Sequence, residues 1–430
     1  MTPEARLRRP GRPYQVPGGL ADPLIRELGS WLEGVTLTDA APAGPAPDAR
    51  AGIALRRLIT AHGLAPFLVR DPVAAAAVDA SASRVPGDLR GWLEMEDERN
   101  RLRIARLLDE LGAALRVFAA AGLPVMPLKG AILATRPAAD PFRRPMADLD
   151  LLVRPGDRDA ARATLTSLGY RRRPERNRRP THDTFELPDN DRVVTVDGEH
   201  PDNPRRIELH SEVRRHLWAW TTDDDLTSLL WAGATEGTVL GEPAILPLAP
   251  AFAAHLAIHA TSDLLLARGR LIQWLDLAEV AGGSPDLAGG SPGVAAGSPG
   301  VAAGSPGIDL SRAPHPRLVY PALRLAARRL AGRRPPTAMP TLDALDALDV
   351  IAARVPDRLV RWAGSVPLDT RAGLQAGRHA PGDISTLGAR WTRWAPYRWR
   401  LVVAHGDVPL PLAALRHAAR LASMSRRRPA

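Results

Sequence analysis

Residues 147–153, ADLDLLV, limit the fold more than any other part of this chain. Acidic and apolar residues alternate there with the period of a β-strand, so Asp148 and Asp150 point to one side and Leu149 and Leu151 to the other. The leucines require a packed core on their side. Two carboxylates held close together repel each other unless a cation lies between them. The segment therefore predicts a strand that separates a hydrophobic core from a divalent-metal site.

The aspartate pair alone is weak evidence for a metal, because acidic residues also alternate along ordinary solvent-exposed strands. A third carboxylate on an adjacent strand strengthens the prediction. Residues 205–210, RRIELH, form a second predicted strand in which apolar residues flank Glu208. If the two strands are neighbours, Asp148, Asp150 and Glu208 make a three-carboxylate site for Mg²⁺ or Mn²⁺, which take oxygen ligands.

A candidate phosphate site lies upstream, where the sequence PLKG ends a strand predicted at residues 123–128 and begins a helix. Amide groups at a helix N-terminus and a nearby ammonium attract anions, so Lys129 and the Gly130 amide are predicted to hold the β- and γ-phosphates of a nucleotide. Arg143 and Arg144 precede the aspartates and are expected to reach the same phosphates. Lys129 is also the only lysine among 57 basic residues. This favours a position that needs a compact ammonium, with chance survival of one codon as the alternative.

The segments on both sides of this region have helical patterns. Residues 51–121 place apolar side chains at intervals of three and four, and the charged residues between Asp97 and Arg106 are expected on the solvent-facing side. Gly122 and Pro124 end the last of these helices. From residue 226 onward the pattern is helical again, beginning with a packed helix pair.

These patterns divide the chain into six regions and predict an α+β, mixed fold: a small α/β core with a mixed sheet, flanked by N- and C-terminal helical regions. The regions are a poorly ordered leader (1–50), a helical N-terminal region (51–122), the α/β core (123–222), a helical region packing on the core (223–281), a Gly/Ser/Pro repeat linker (282–307) and a helical C-terminal region with a basic tail (308–430).

The composition excludes some functions and favours others. The chain has no cysteine, which excludes disulfide scaffolding, thiolate catalysis and cysteine-ligated zinc. Its formal net charge of +10 favours an anionic partner, whether nucleotide, nucleic acid or acidic lipid. The N-terminal residues lack the apolar run of a secretory signal, and no segment has the pattern of a membrane span. We therefore expect a cytoplasmic protein without a membrane partner.

The order of four motifs supplies a family resemblance: LKGAIL, RRPMADLDLLV, an amphipathic helix ending LGY, and IELH. This order resembles the polymerase-β-like nucleotidyltransferase superfamily. It is most similar to an uncharacterised bacterial family in which a Leu-Lys-Gly turn precedes an Asp-x-Asp strand, and AHGLAPFL, HLAIHA and QWLDLAEV also resemble that family. By this resemblance Asp148 and Asp150 match the metal-binding pair and Glu208 the third acid. Lys129 and Gly130 match the turn that replaces the superfamily's usual Gly-Ser.

The resemblance implies a polymerase-β-like nucleotidyltransferase core and Mg²⁺-dependent transfer of a nucleoside monophosphate. The donor is an NTP, expected to be ATP, and the acceptor is a hydroxyl of a small molecule, peptide, protein or RNA. Two alternatives stay open: a catalytically silent nucleotide-binding accessory protein, and a basic nucleic-acid-binding protein, which is the less favoured. The residues assigned to the site are Lys129, Gly130 and Arg144 for the nucleotide phosphates, and Asp148, Asp150 and Glu208 for metal binding and catalysis.

Three histidines have open roles. His255 and His259 lie four residues apart on one predicted helix face, but Leu256 stands where a metalloprotease helix has glutamate. We expect these two to form hydrogen bonds in the core or to line the cleft that faces the α/β unit. His210 follows Glu208 by two residues and is predicted to face the same side. There it either orients water or substrate at the metal or is an ordinary hydrogen-bonded strand residue.

Overall fold

The structure of the chain is a computed structural model. It describes residues 56, 59–60, 62–81, 87–136, 139–174, 182–188, 200–214, 216–217, 220–221, 226–265, 269–281, 315–330, 352–355, 357, 359–361, 401–402, 405 and 408–426. The predicted leader and repeat linker lie outside these residues. In the described part of the chain, no helix is both long and apolar enough to cross a lipid bilayer.

Helices flank a set of strands in the middle of the chain. The helices are α1 (Ala65–Arg70), α2 (Pro72–Ser81), α3 (Leu89–Ala120), α4 (Gly130–Thr135), α5 (Arg158–Ser167), α6 (Leu226–Trp231), α7 (Ala249–Leu265), α8 (Leu271–Ala281), α9 (Pro316–Leu330) and α10 (Leu410–Arg426). The strands are β1 (Val125–Leu128), β2 (Asp148–Val153), β3 (Arg171–Arg172), β4 (Asp183–Glu186), β5 (Arg206–His210), β6 (His216–Leu217), β7 (Trp220–Thr221), β8 (Thr235–Val239) and β9 (Glu242–Leu246). The predicted fold class, a mixed α+β fold with helical flanks, is confirmed.

A five-stranded sheet with the order β1-β2-β5-β4-β3 forms the centre of the α/β unit. Strands β2 and β5 are parallel and the other neighbouring pairs are antiparallel, so the sheet is mixed. The register places Asp150 between Leu128 on β1 and Glu208 on β5. The prediction that the Glu208 strand lies beside the aspartate strand is therefore confirmed.

The two faces of the sheet belong to different hydrophobic cores. Leu149 and Leu151 are fully buried on the face covered by α3 and α5, as their alternation with the aspartates predicts. On the other face, Met126 and Leu152 join a core that consists largely of side chains from α7, α8 and α9. The aspartates share this second face, so the C-terminal helices stand on the same side of the sheet as the predicted metal site.

The prediction of helix throughout the region after the core is wrong at residues 235–246, which form the hairpin β8–β9. Leu240 and Gly241 make its two-residue turn, with φ angles of 56° and 80°. Positive φ at both positions identifies a type I′ turn, which sequences usually mark with Asn-Gly or Asp-Gly. The Leu-Gly turn lacks that signal. The predicted pair of packed helices that follows, α7 and α8, is confirmed.

Arg103 contradicts the prediction that the charged residues of α3 face solvent. Its side chain is fully buried, and its guanidinium donates hydrogen bonds to five backbone carbonyls. The acceptors are Met146 (2.8 Å) and Ala147 (2.5 Å) before β2, and His200 (2.9 Å), Asn203 (3.1 Å) and Pro204 (3.3 Å) before β5. One buried cation therefore fixes both loops that lead into the carboxylate-bearing strands. Asp97 is buried as well, and it accepts two hydrogen bonds from Arg70, at 2.6 and 2.9 Å.

Asp183 is a second buried charge, on the face of β4 that α5 covers. Its carboxylate accepts hydrogen bonds from Arg162, at 2.8 and 2.9 Å, and from Arg158, at 3.1 Å. Burial acts to raise the pKa of Asp183, but the hydrogen bonds from these two arginines outweigh it and hold that pKa below its usual value. The ionised form of Asp183 therefore stabilises the fold.

Replacing Arg103 with lysine should lower the free energy of unfolding by about 3 kcal/mol, because a buried ammonium cannot bond to five carbonyls spread over two loops. The matched control is Arg101→Lys on the same helix. Arg101 is 46% exposed and pairs with Glu98 at the surface, so its replacement should leave stability essentially unchanged. Urea unfolding followed by circular dichroism measures both. Equal stability of the two variants would contradict the scaffold role of Arg103.

Replacing Asp183 with asparagine should lower stability at pH 7 by about 2 kcal/mol, a value discounted because the arginine partners are partly exposed. The pKa of Asp183 is lower in the folded than in the unfolded chain. Its contribution is therefore fully present above the unfolded-state pKa of about 4 and is lost as the pH falls through the folded-state pKa. Urea unfolding at pH 7 and at about pH 3 tests this: the difference between wild type and variant should shrink at the lower pH. An unchanged difference would refute the assignment.

Candidate active site

Asp150 is the most enclosed carboxylate of the predicted site. Its side chain is 3% exposed, and one of its oxygens, Oδ1, contacts both Lys129 Nζ, at 2.7 Å, and His210 Nε2, at 3.0 Å. Burial by itself would raise the pKa of Asp150, but the charges and hydrogen bonds of Lys129 and His210 hold it well below its usual value. Asp150 is therefore ionised and already has a cation beside it.

Asp148, two residues earlier on the same face of β2, has the opposite electrostatic situation. Burial and the negative charge of Asp150 raise the pKa of Asp148 to about 6. Within the described residues, no side chain forms a hydrogen bond or ion pair with its carboxylate. The charges of Lys129, Arg103 and Arg206 act to lower the pKa of Asp148, but burial and Asp150 outweigh them.

The turn between β1 and α4 positions the lysine. Leu128 pairs with Asp150 across the two strands, so the next residue, Lys129, reaches the carboxylate directly. Lys129 has φ 46° and ψ −120°, a backbone conformation that glycine adopts more easily than lysine. Gly130 begins α4, and a Cβ there would lie 2.6 Å from Met146, so only glycine fits without a shift of that side chain. The prediction that PLKG ends a strand and begins a helix is confirmed.

Both predicted phosphate-binding arginines contact carboxylates of α8. Arg144 lies against Gly130, and its Nη2 is 3.0 Å from Asp276. Arg143 Nη2 is 3.6 Å from Glu279. Burial raises the pKa of Asp276, and the charge of Arg144 acts against this rise. The structure thus brings Arg144 to the LKG turn, while the binding of phosphate by either arginine stays a prediction.

Glu208 and His210 share one face of β5, as the sequence predicts, and a residue that the sequence analysis missed joins them. His182 Nε2 lies 3.3 Å from Glu208 Oε1, and His210 Nε2 lies 3.8 Å from Glu208 Oε2. His182 immediately precedes β4, which pairs with β5, and this brings the two imidazole rings to a centroid distance of 5.0 Å. Thr184 pairs with Glu208, and a strand period of two puts His182 on the same face of the sheet.

The other histidine pair lies in α7. His255 is buried, and His259 Nδ1 is 3.1 Å from Asp263 Oδ2, one helical turn further on. Neither belongs to a cluster of three potential metal ligands within the described residues. The burial of His255 agrees with the expectation of a core residue, and the roles of both histidines stay predictions.

The backbone strain at Lys129 can be measured by comparing two variants that both remove the ammonium. Lys129→Gly and Lys129→Ala each leave Asp150 without its lysine, so their difference in stability isolates the positive φ. The glycine variant should be more stable by about 1 kcal/mol, because alanine carries a Cβ into a region that disfavours it. Thermal or urea unfolding measures the difference. An alanine variant as stable as the glycine variant would show that the turn is not strained.

Comparison with known proteins gives one family match. The family described as "Uncharacterised nucleotidyltransferase" matches residues 53–287, more than half of the chain, and the match spans every residue of the candidate site. Comparison with curated proteins and with solved structures gives no significant match. The family match confirms the resemblance to an uncharacterised nucleotidyltransferase family. The chain therefore belongs to this family of uncharacterised nucleotidyltransferases.

Proposed function

We propose that this protein transfers a nucleoside monophosphate from an NTP to an acceptor hydroxyl and releases pyrophosphate, with Mg²⁺ or Mn²⁺ as cofactor. One observation carries the proposal. Asp148 and Asp150 lie together on β2, the parallel strand beside them places Glu208 opposite Asp150, and Lys129 contacts Asp150. Family membership supports nucleotidyl transfer in general, and the residue roles below are proposed from the geometry.

The chemistry of the three carboxylates suits a hard divalent cation, although within the described residues their ligand atoms do not all lie within 4.8 Å of one another and would have to move together to share one ion. Burial and the charge of Asp150 raise the pKa of Asp148 to about 6, and a bound cation would favour the ionised form of this carboxylate; carboxylate oxygens are the ligands that Mg²⁺ prefers. Asp148, Asp150 and Glu208 would hold the ion. When bound there, the ion would polarise the α-phosphate and stabilise the negative charge of the leaving pyrophosphate.

The chain's own residues bind and orient the reactants. We assign the terminal phosphates of the NTP to the Lys129 ammonium and the Gly130 amide at the start of α4, with Arg144 beside them. The acceptor oxygen attacks the α-phosphorus and forms a new P–O bond, while the bond from that phosphorus to the oxygen bridging to the β-phosphate breaks. Glu208 accepts the hydroxyl proton. Catalysis comes mainly from positioning and from fixed charges.

The proposed donor is ATP, and the proposed acceptor is a hydroxyl of a small molecule, a peptide, a protein or an RNA end. The test therefore uses α-labelled ATP, Mg²⁺ and a panel of all four acceptor classes, with pyrophosphate release as the common readout. Label transfer identifies the class. Tight, metal-independent and steeply salt-dependent RNA or DNA binding without transfer would favour a nucleic-acid-binding protein instead.

Asp148→Asn is the sharpest variant for this proposal, because it should separate activity from stability. Loss of one carboxylate from the metal pair should lower the rate of pyrophosphate release by a factor of about 100 or more. Above pH 6 the same change should leave the unfolding temperature equal to or higher than that of wild type, because it removes the carboxylate whose pKa burial and Asp150 raise to about 6.

Asp150→Asn should also inactivate the protein, although it disturbs the contacts with Lys129 and His210. The control is Asp159→Asn, at a position that is 91% exposed, which should keep full activity and stability. Pyrophosphate release by wild type no faster than by Asp148→Asn, across the whole acceptor panel, would overturn the enzymatic proposal and leave a nucleotide-binding accessory protein.

A further inference from the structure

Beside the aspartate pair, the sheet brings together a group of side chains with a different ligand chemistry. His182, Glu208 and His210 each offer one donor atom, and the three atoms lie within 4.8 Å of one another. Two of these donors are imidazole nitrogens and one is a carboxylate oxygen. Within the described residues, no other group of three or more histidine, aspartate or glutamate side chains has ligand atoms this close together.

The spacing suits a small cation. Two ligand atoms that each lie about 2.1 Å from one ion are separated by about 3.0 Å in octahedral and about 3.4 Å in tetrahedral coordination. The distance from His182 Nε2 to Glu208 Oε1, 3.3 Å, is already in this range. The distance from His210 Nε2 to Glu208 Oε2 is 3.8 Å, and all three donor atoms lie within 4.8 Å of one another. The widest separation must therefore close by up to about 1.4 Å for one ion to bind all three, which needs rotation of more than one side chain.

The cluster is open to solvent on one side and anchored on the other. The exposed side-chain fractions are 28% for His182, 20% for Glu208 and 10% for His210, so an ion can enter past His182. His210 Nε2 also contacts Asp150 Oδ1 at 3.0 Å, so an ion that binds through this nitrogen must take the place of its hydrogen bond to Asp150. Glu208 has one carboxylate oxygen near each histidine: Oε1 near His182 and Oε2 near His210.

We propose that His182, Glu208 and His210 form a site for a first-row transition ion next to the carboxylate pair, and Mn²⁺ serves as the spectroscopic probe ion. Imidazole nitrogen binds first-row transition ions well, whereas Mg²⁺ takes oxygen ligands and keeps much of its water. The two imidazoles therefore bias this corner of the active site towards a transition ion. The inference deepens the proposed function by naming the metal class that the site prefers, and its test needs no turnover.

The experiment titrates the full-length, metal-free protein with Mn²⁺ in the absence of nucleotide and measures free Mn²⁺ by electron paramagnetic resonance. Wild type should bind Mn²⁺ more tightly than Mg²⁺ in competition. His182→Gln should weaken Mn²⁺ binding by at least about tenfold and leave Mg²⁺ binding unchanged. The matched control is His200→Gln, because His200 lies on the loop before β5, where its Nδ1 accepts a hydrogen bond from the Asp202 amide. This control should bind Mn²⁺ like wild type.

A spectroscopic readout keeps the inference testable if His182→Gln fails to fold. Spin-echo modulation of Mn²⁺ bound to wild type should contain ¹⁴N couplings from directly coordinated imidazole. Bound Mn²⁺ without ¹⁴N coupling, or equal Mn²⁺ affinity of wild type and His182→Gln, overturns the site. Absence of nucleotidyl transfer with the ¹⁴N signal intact overturns only the proposed function, so the two failures are distinguishable.

Discussion

The buried guanidinium of Arg103 is the interaction on which the arrangement of the active site depends. A charge with no exposure to water costs several kcal/mol unless each of its donors is satisfied. Arginine can meet that condition because its planar fork carries five N–H groups. Their acceptors lie on two loops, one entering β2 and one entering β5. The relative position of the aspartates and Glu208 therefore follows from one residue of α3, which also lowers the pKa of Asp148 through its charge.

Charge is handled differently on the two faces of the sheet. On the face that α3 and α5 cover, Asp183 is fully buried but bonded to two arginines, and its ionised form stabilises the fold. On the other face, burial and the negative charge of Asp150 raise the pKa of Asp148. The first arrangement serves stability. The second arrangement makes the fold less stable, and it lies where the proposed reaction needs negative charge. Functional sites commonly lower stability in this way.

Local period and turn chemistry made much of this site predictable. The alternation around Asp148 and Asp150 gave their shared face, and PLKG gave the strand-to-helix turn at Lys129. Features set by distant contacts were not predictable. Arg103 looks like its exposed neighbours on α3, and the carbonyls that bury it are 43 to 101 residues away. The pairing of β4 with β5 brings His182 close to Glu208. No local sequence pattern encodes that pairing. The β8–β9 hairpin was not predicted because its turn has leucine, rather than asparagine or aspartate, at a position with a positive φ.

Lys129 connects the stability of this site with its proposed chemistry. A lysine at φ 46° accepts backbone strain on the order of 1 to 3 kcal/mol that glycine would avoid, and the surrounding structure must offset it. The contact of 2.7 Å between Lys129 and Asp150 is one interaction that does so. In the proposed reaction Asp150 would hold a divalent ion, which would leave the Lys129 ammonium to bind the nucleotide phosphates. A cation that contacts first one partner and then another must be compact and able to rotate. The ammonium of lysine, on its flexible stem, meets this requirement, and the planar guanidinium of arginine does not. This requirement gives a physical reason for a single lysine in a chain whose other basic residues are all arginine.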